Sequence, residues 1–389
     1  MIDRKTVLCL GFSQLISWGV TYYLVGGFGA LIAADLGWTG DAVYGGFSAA
    51  LLTMGLVSPF AGRLVDRHGG RRVMVAGSLL NALGCAGLAL AHSAPAYYAA
   101  WICLGVSMRL SLYDAAFAAL ARIGGPQARG PISQITLLGG LASTVFWPLG
   151  NLLADHLGWR GAVLVYAGFA LLTVPLHLAI PEGQYEDVAP DEAISSPRPL
   201  AAGRREILFA GSLYALIATL ANFLNAGMSS HMIGILTGLG LAASAAVWIA
   251  TLRGIGQAGA RLGEVLFGRR FNPLTLNLVA SALLPLCFIA GLFSGQAGIA
   301  ALAFAFFYGA GNGILTITRG TLPLILFDHG AYGTFVGRLI TPSFILSAAA
   351  PTIYAFVIGR FGEAGALLLS IGVAFVTLAA AAALKIRFS

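Results

Sequence analysis

Four ionisable residues lie deep within strongly apolar runs of this 389-residue chain: Arg109, Asp114, Arg253 and Arg319. A guanidinium removed from water needs an anion or several acceptors, and its planar fork matches a carboxylate. No acid stands near Arg253 in the sequence, and Gln257, one helical turn on, offers only a carbonyl. Arg253 therefore reads as a receptor for an anion, with backbone carbonyls and water as its alternative partners. Asp114 is the one carboxylate set deep in an apolar run, which makes it the first candidate for carrying a proton. His231 is the second, because imidazole titrates near neutrality. Asp114 stands five residues from Arg109, whereas side chains three or four apart meet on a helix, so this pair is not expected. Arg319, Arg71 and Arg72 are alternative partners for it. Three arginines against one aspartate leave positive charge in excess, and in a low dielectric that excess favours an anion. Asn222, Asn225, Asn312, Tyr22, Tyr23, Gln14 and Trp18 can complete such a site, although amides in apolar runs also serve to hold helices together. His177 and His92 are expected at interfaces.

The elements that must position these groups are membrane helices. The chain is 58% hydrophobic and 10% charged, with a mean hydropathy of +0.86. A soluble domain carries roughly 25% charged residues, so this composition cannot cover a soluble surface. A spanning helix needs about 20 mostly apolar residues. Twelve segments qualify: 8–33, 42–62, 73–92, 95–120, 132–154, 160–180, 207–236, 240–263, 273–293, 297–326, 334–359 and 363–384. The stretch 181–206 carries four prolines and an acidic cluster, and it divides the segments into two sets of six. Residues 1–180 and 207–389 thus read as two six-helix bundles joined by a linker. With the N-terminus inside, the inner connections hold Arg63, Arg67, Arg71, Arg72, Arg122, Arg129, Arg204, Arg205, Arg261, Arg269, Arg270 and Arg338, and the outer ones only Arg160 and Arg360. That asymmetry places both termini in the cytoplasm, and it accounts for the net charge of +7 without nucleic acid as a partner. The apolar run after Arg4 and Lys5 is too long for a cleavable signal peptide. Cys9, Cys85, Cys103 and Cys287 sit within apolar segments as small core residues. No HExxH, GxSxG, Walker A or paired-cysteine pattern is present, so no enzyme, cofactor or metal is expected.

The chain also repeats itself. Gly62–Arg72 and Ala260–Arg270 align without gaps, with Arg63 on Arg261, Asp66 on Glu264, Gly70 on Gly268, and Arg71-Arg72 on Arg269-Arg270. Their offset is roughly half of the chain, the mark of a duplicated unit. Gly62, Asp66, Arg67, Gly69, Arg71 and Arg72 carry the pattern Gly-x-x-x-Asp-Arg-x-Gly-x-Arg-Arg between the second and third segments. The chain thereby resembles the major facilitator superfamily, whose fold of two pseudo-symmetric bundles it would share. The second copy is degenerate, with Val265 and Phe267 in place of the Arg and Gly.

A carboxylate at Asp66 can sit at the positive end of the eleventh segment, near Gly333-Thr334, and Glu264 can do the same for the fifth, near Pro131-Ile132-Ser133. With Arg67, Arg71 and Arg319, these acids form the expected gating set. A bridge from Asp114 to Arg319 would likewise cross the two bundles, the alternative being that each pairs within its own bundle. The resemblance implies that the fourth, eighth and tenth segments line a cavity. Arg253 then resembles the carboxylate-receiving arginine of the monocarboxylate-transporter branch. Arg109 resembles a family arginine, although Tyr113-Asp114 stands where a glycine is usual. The Gly-Pro pair of drug–proton antiporters is not matched by Gly139-Gly140 and Trp147-Pro148. The reading that follows is a secondary transporter working as a monomer in a bacterial inner membrane. Its expected substrate is a small organic anion, such as a monocarboxylate, moved with protons. Efflux of a drug or an arsenic oxyanion by proton antiport is the alternative, and a non-transporting sensor or membrane enzyme is the remote one.

Overall fold

The computed structural model describes residues 2–124, 128–183, 200–267, 272–327 and 332–388, and helix is their only regular structure. The helices are α1 (Arg4–Val20), α2 (Leu24–Leu36), α3 (Gly40–Ala89), α4 (Ala94–Ser111), α5 (Tyr113–Gly124), α6 (Arg129–Gly140), α7 (Ala142–Leu178), α8 (Arg204–Gly238), α9 (Ala243–Phe267), α10 (Pro273–Leu292), α11 (Gly298–Leu326) and α12 (Tyr332–Phe388). Several begin on local signals. The Asp3 carboxylate accepts the Thr6 N–H at 2.8 Å, and Asn272 accepts the Leu274 N–H at 2.9 Å ahead of Pro273.

Nine stretches among the described residues are long and apolar enough to cross a membrane. The outer surface agrees, since Leu56, Trp248, Ile299 and Phe361 are each 65% exposed or more, which lipid tolerates and water does not. The α9 helix is not among the nine: Arg253, Gln257 and Arg261 lower its hydropathy, and all three are buried inside the protein instead. The four cysteines are free.

Three long helices are interrupted at single glycines: Gly69 (φ 79°) in α3, Gly158 (φ 68°) in α7 and Gly362 (φ 69°) in α12. A positive φ is strained for a residue with a Cβ, so glycine lets one residue connect two helical rods. The Gly62–Arg72 motif is therefore mostly helical, with Gly69 as its break. Other breaks are looser. Residues 21–23 part α1 from α2, Leu112 (ψ −171°) parts α4 from α5, and Leu141 parts α6 from α7.

Helices α1 to α7 pack chiefly on one another, as do α8 to α12. The two sets meet where α3 lies on α12, α2 on α8, and α6 and α7 on α9. Hydrogen bonds span that seam, as from Thr144 Oγ1 to the Thr251 carbonyl (2.7 Å) and between the Ser48 and Thr352 hydroxyls (3.1 Å).

Candidate functional site

At the centre of the seam stands Arg253, fully buried on α9. A Cβ on Gly309 of α11 would collide with the Arg253 backbone, so glycine is what allows α9 and α11 to approach this closely. The guanidinium lies over two ring faces, with its Cζ 5.3 Å from the centroid of Tyr23 and 5.2 Å from that of Tyr308. Nη2 donates to Asn225 Oδ1 at 2.5 Å. Nε and Nη1 are buried and have no hydrogen-bond partner among the described residues. Asn225 is the hub. Its Oδ1 also accepts from Asn312 Nδ2 (3.0 Å), and its Nδ2 donates to the Tyr22 hydroxyl (3.1 Å), across the seam. Four expected site residues, Arg253, Asn225, Asn312 and Tyr22, are thus brought into one network. Tyr22 and Tyr23 reach it from the break between α1 and α2.

One turn along α8, Asn222 belongs to a second group. Its Oδ1 accepts from Arg319 Nη1 at 3.2 Å, and its Nδ2 donates to Ser343 Oγ at 3.0 Å. Arg319 Nη2 lies 3.8 Å from Asp114 Oδ1, and Arg109 Nη1 donates to Asp114 Oδ2. The expectation that Arg109 and Asp114 are wrongly spaced is corrected here. The rule of three or four presumes a continuous helix, and the break at Leu112 turns the first residues of α5 back towards Arg109. Asp114 consequently pairs both within its own set of helices and across the seam. Arg109, whose Nε has no partner among the described residues, rests 5.1 Å above the Phe344 ring.

A third group was not anticipated. Arg261 was expected in a cytoplasmic connection, but it is 2% exposed and clamps the seam. Its Nη1 donates to the Thr136 carbonyl and to the Tyr113 hydroxyl (3.1 Å), and its Nε donates to the Gly313 carbonyl (3.4 Å). The signal lay in the spacing: residues 253, 257 and 261 recur every four positions and so share one helix face. Arg261→Met keeps the aliphatic stem but strips these acceptors of their donor. The unfolding midpoint in detergent should fall by the equivalent of about 2 kcal/mol. An unchanged midpoint, with unchanged hydrogen exchange in α6, would count against the clamp.

Of the expected gate, the Asp66 side chain lies outside the described residues, and Arg319 pairs with Asp114. Arg67 is exposed, and Glu264 is half-buried one turn beyond Arg261. Arg71 does not reach across the seam: its Nε donates to the Ile180 carbonyl (2.7 Å), and its Nη1 lies 3.4 Å from Glu182. His231 lies apart from the central network, packed 4.2 Å from the Tyr44 ring, with Nε2 donating to the Pro351 carbonyl at 2.8 Å. It borders a wide cleft lined also by Asp41, Arg360 and Glu363. His177, expected at an interface, is fully buried, with Nδ1 bonded to Ser78 Oγ at 2.7 Å.

The sequence profile of the Major Facilitator Superfamily matches residues 10–351. The chain belongs to the Major Facilitator Superfamily. It is an integral, multi-pass membrane protein of this transporter family, and the arginines of the network are among the residues matched. It is also similar to the multi-drug resistance efflux pump PmrA homolog of Lactococcus lactis subsp. lactis (strain IL1403), with 29% identity over 201 residues. That alignment covers 49% of this chain and 48% of the relative, so the chain spans about half the length of the curated superfamily protein it matches.

Proposed function

We propose that this superfamily member is a secondary transporter of small organic anions, monocarboxylate-like, working by alternating access. Residues 1–180 and 207–389 would form the two moving halves, with 181–206 as their tether. The helix pattern supports twelve crossings. The apolar stretches Gly130–Leu178 and Leu339–Phe388 run 49 and 50 residues. At 1.5 Å per residue each is roughly 75 Å long, more than twice what a bilayer core of about 30 Å needs. Splitting both at Gly158 and Gly362 and adding α9 raises nine spans to twelve. The basic inner connections support cytoplasmic termini.

The observation that carries the anion reading is Arg253, a fully buried cation with two donor atoms unpartnered among the described residues. Leaving a charge so placed is costly unless a ligand completes it. A carboxylate does so through one fork of the guanidinium, accepting from the second Nη2 proton and from either Nε or Nη1. The site lies at the seam, where a rocking motion exposes it to one side and then the other. Proton coupling would act through Asp114, whose carboxylate pairs with both Arg109 and Arg319. Protonating it would loosen the hold on Arg319 and hence one bridge across the seam.

Efflux of a drug by proton antiport is the second reading, favoured by the likeness to a protein named as a multi-drug efflux pump. Uptake of labelled lactate into proteoliposomes, with and without an inward proton gradient, separates the two. Gradient-stimulated uptake is expected; failure to accumulate any carboxylate, with drug tolerance conferred on a sensitive host, would support the second.

A further inference from the structure

The seam divides its chemistry unevenly. Charge and amides at the central network come from the C-terminal set: Arg253 from α9, Asn225 from α8 and Asn312 from α11. The N-terminal set faces them with rings. Trp18 lies 4.9 Å from Tyr22 and 5.0 Å from Tyr113, centroid to centroid. Tyr22 lies 5.2 Å from Phe47, and Tyr23 lies 5.6 Å from Trp147. Tyr23 and, from the other side, Tyr308 turn their faces to the guanidinium. The cluster also keeps an unanswered polar atom, because Trp18 Nε1 is buried without a partner among the described residues.

A receptor for lactate alone would use the guanidinium and leave these ring faces idle, because its substrate is mostly carboxylate and hydroxyl and has no flat apolar body to lay against them. Flat apolar bodies, in contrast, gain from offset and edge-to-face contact with ring faces beyond what their area provides. The geometry points to a planar aromatic monocarboxylate as the substrate class, its carboxylate on an open fork of the Arg253 guanidinium and its ring among Trp18, Tyr23 and Tyr308. This rests on the anion reading above and narrows it. Asn225 fits the same role. It holds Arg253 with a neutral amide where an aspartate would have the same shape, so the guanidinium keeps its charge for the ligand.

The test uses the full-length purified protein and four probes in a ligand-induced thermal-shift titration, since a ligand bound to the native state raises the midpoint with its concentration. Benzoate is expected to bind about tenfold more tightly than cyclohexanecarboxylate, which has the same charge and a similar size but no π face. Equal binding of the two, or tighter binding of the saturated ring, overturns the aromatic assignment and leaves the anion reading standing. Benzamide is expected to bind at least tenfold more weakly than benzoate; equal binding overturns the anion reading itself. Absence of any benzoate binding while lactate binds overturns the aromatic assignment alone. Tyr308→Leu should bring the benzoate preference close to one, and Tyr308→Phe should keep it. Should Tyr308→Leu fail to fold, Trp18→Leu makes the same comparison, and the ratio in the unaltered protein needs no variant.

Discussion

Replacing Arg253 with glutamine is expected to lower carboxylate uptake by at least about 100-fold while leaving the unfolding midpoint unchanged or raised. The two halves of this result have one cause. Hydrogen bonds to a charged group contribute about 1.5–3 kcal/mol each, and a carboxylate on one fork of the guanidinium would lose two of them. At 1.4 kcal/mol per tenfold, that is two orders of magnitude or more. Stability moves the other way because the guanidinium is fully buried and only partly satisfied, which is a liability to the empty protein. Glutamine keeps a donor for Asn225 Oδ1 and removes the charge. A merely structural Arg253 would show the reverse, a fall in midpoint with uptake lost only in proportion to folded protein. Proteoliposome uptake normalised to folded transporter, set beside thermal unfolding in detergent, distinguishes them.

Asp114→Asn should have the largest effect on stability, about 3 kcal/mol, read as a lower unfolding midpoint. The carboxylate is set between Arg109 and Arg319, both largely buried. Removing the one anion of such a group leaves its cations uncompensated, which is costlier than removing the whole group. The double variant Asp114→Asn/Arg109→Gln should therefore recover a large part of the loss, and this non-additivity is the signature of direct coupling. Strictly additive losses would argue that Asp114 acts through packing instead. If the carboxylate also carries the coupled proton, residual uptake by the single variant should no longer respond to a pH gradient. Uptake that stays gradient-dependent would move that role to another group, with His231 next in line.

Much of this architecture could be read from the chain. Apolar runs of bilayer length, a proline-rich acidic interruption and the recurrence of one motif at half-chain spacing all follow from local composition, which a membrane sorts directly. Arg253 was legible for the same reason: a charge in an apolar run has no cheap explanation. Arg261 was not, because its run ends nearby and a charge near a helix end reads as topology. Only its register with Arg253 and Gln257 hinted that it faces inward. The pairing of Arg109 with Asp114 was hidden by the opposite error. Helix periodicity was applied across Leu112, where no glycine or proline announces a break.

Residue types and their order alone determined that this is a membrane bundle of repeated design holding more buried arginine than acid. Those are properties of composition and spacing, and they survive any packing of the helices. Tertiary structure alone decided which charges meet. Asp114 joins Arg109 and Arg319 because one helix breaks and two others converge at the seam, and Asn225, a neutral amide, takes one nitrogen of Arg253 while the other two have no partner among the described residues. Contacts between residues more than a hundred positions apart depend on how helices cross, and crossing is set by small residues such as Gly309, whose importance appears only once the neighbouring backbone is in place.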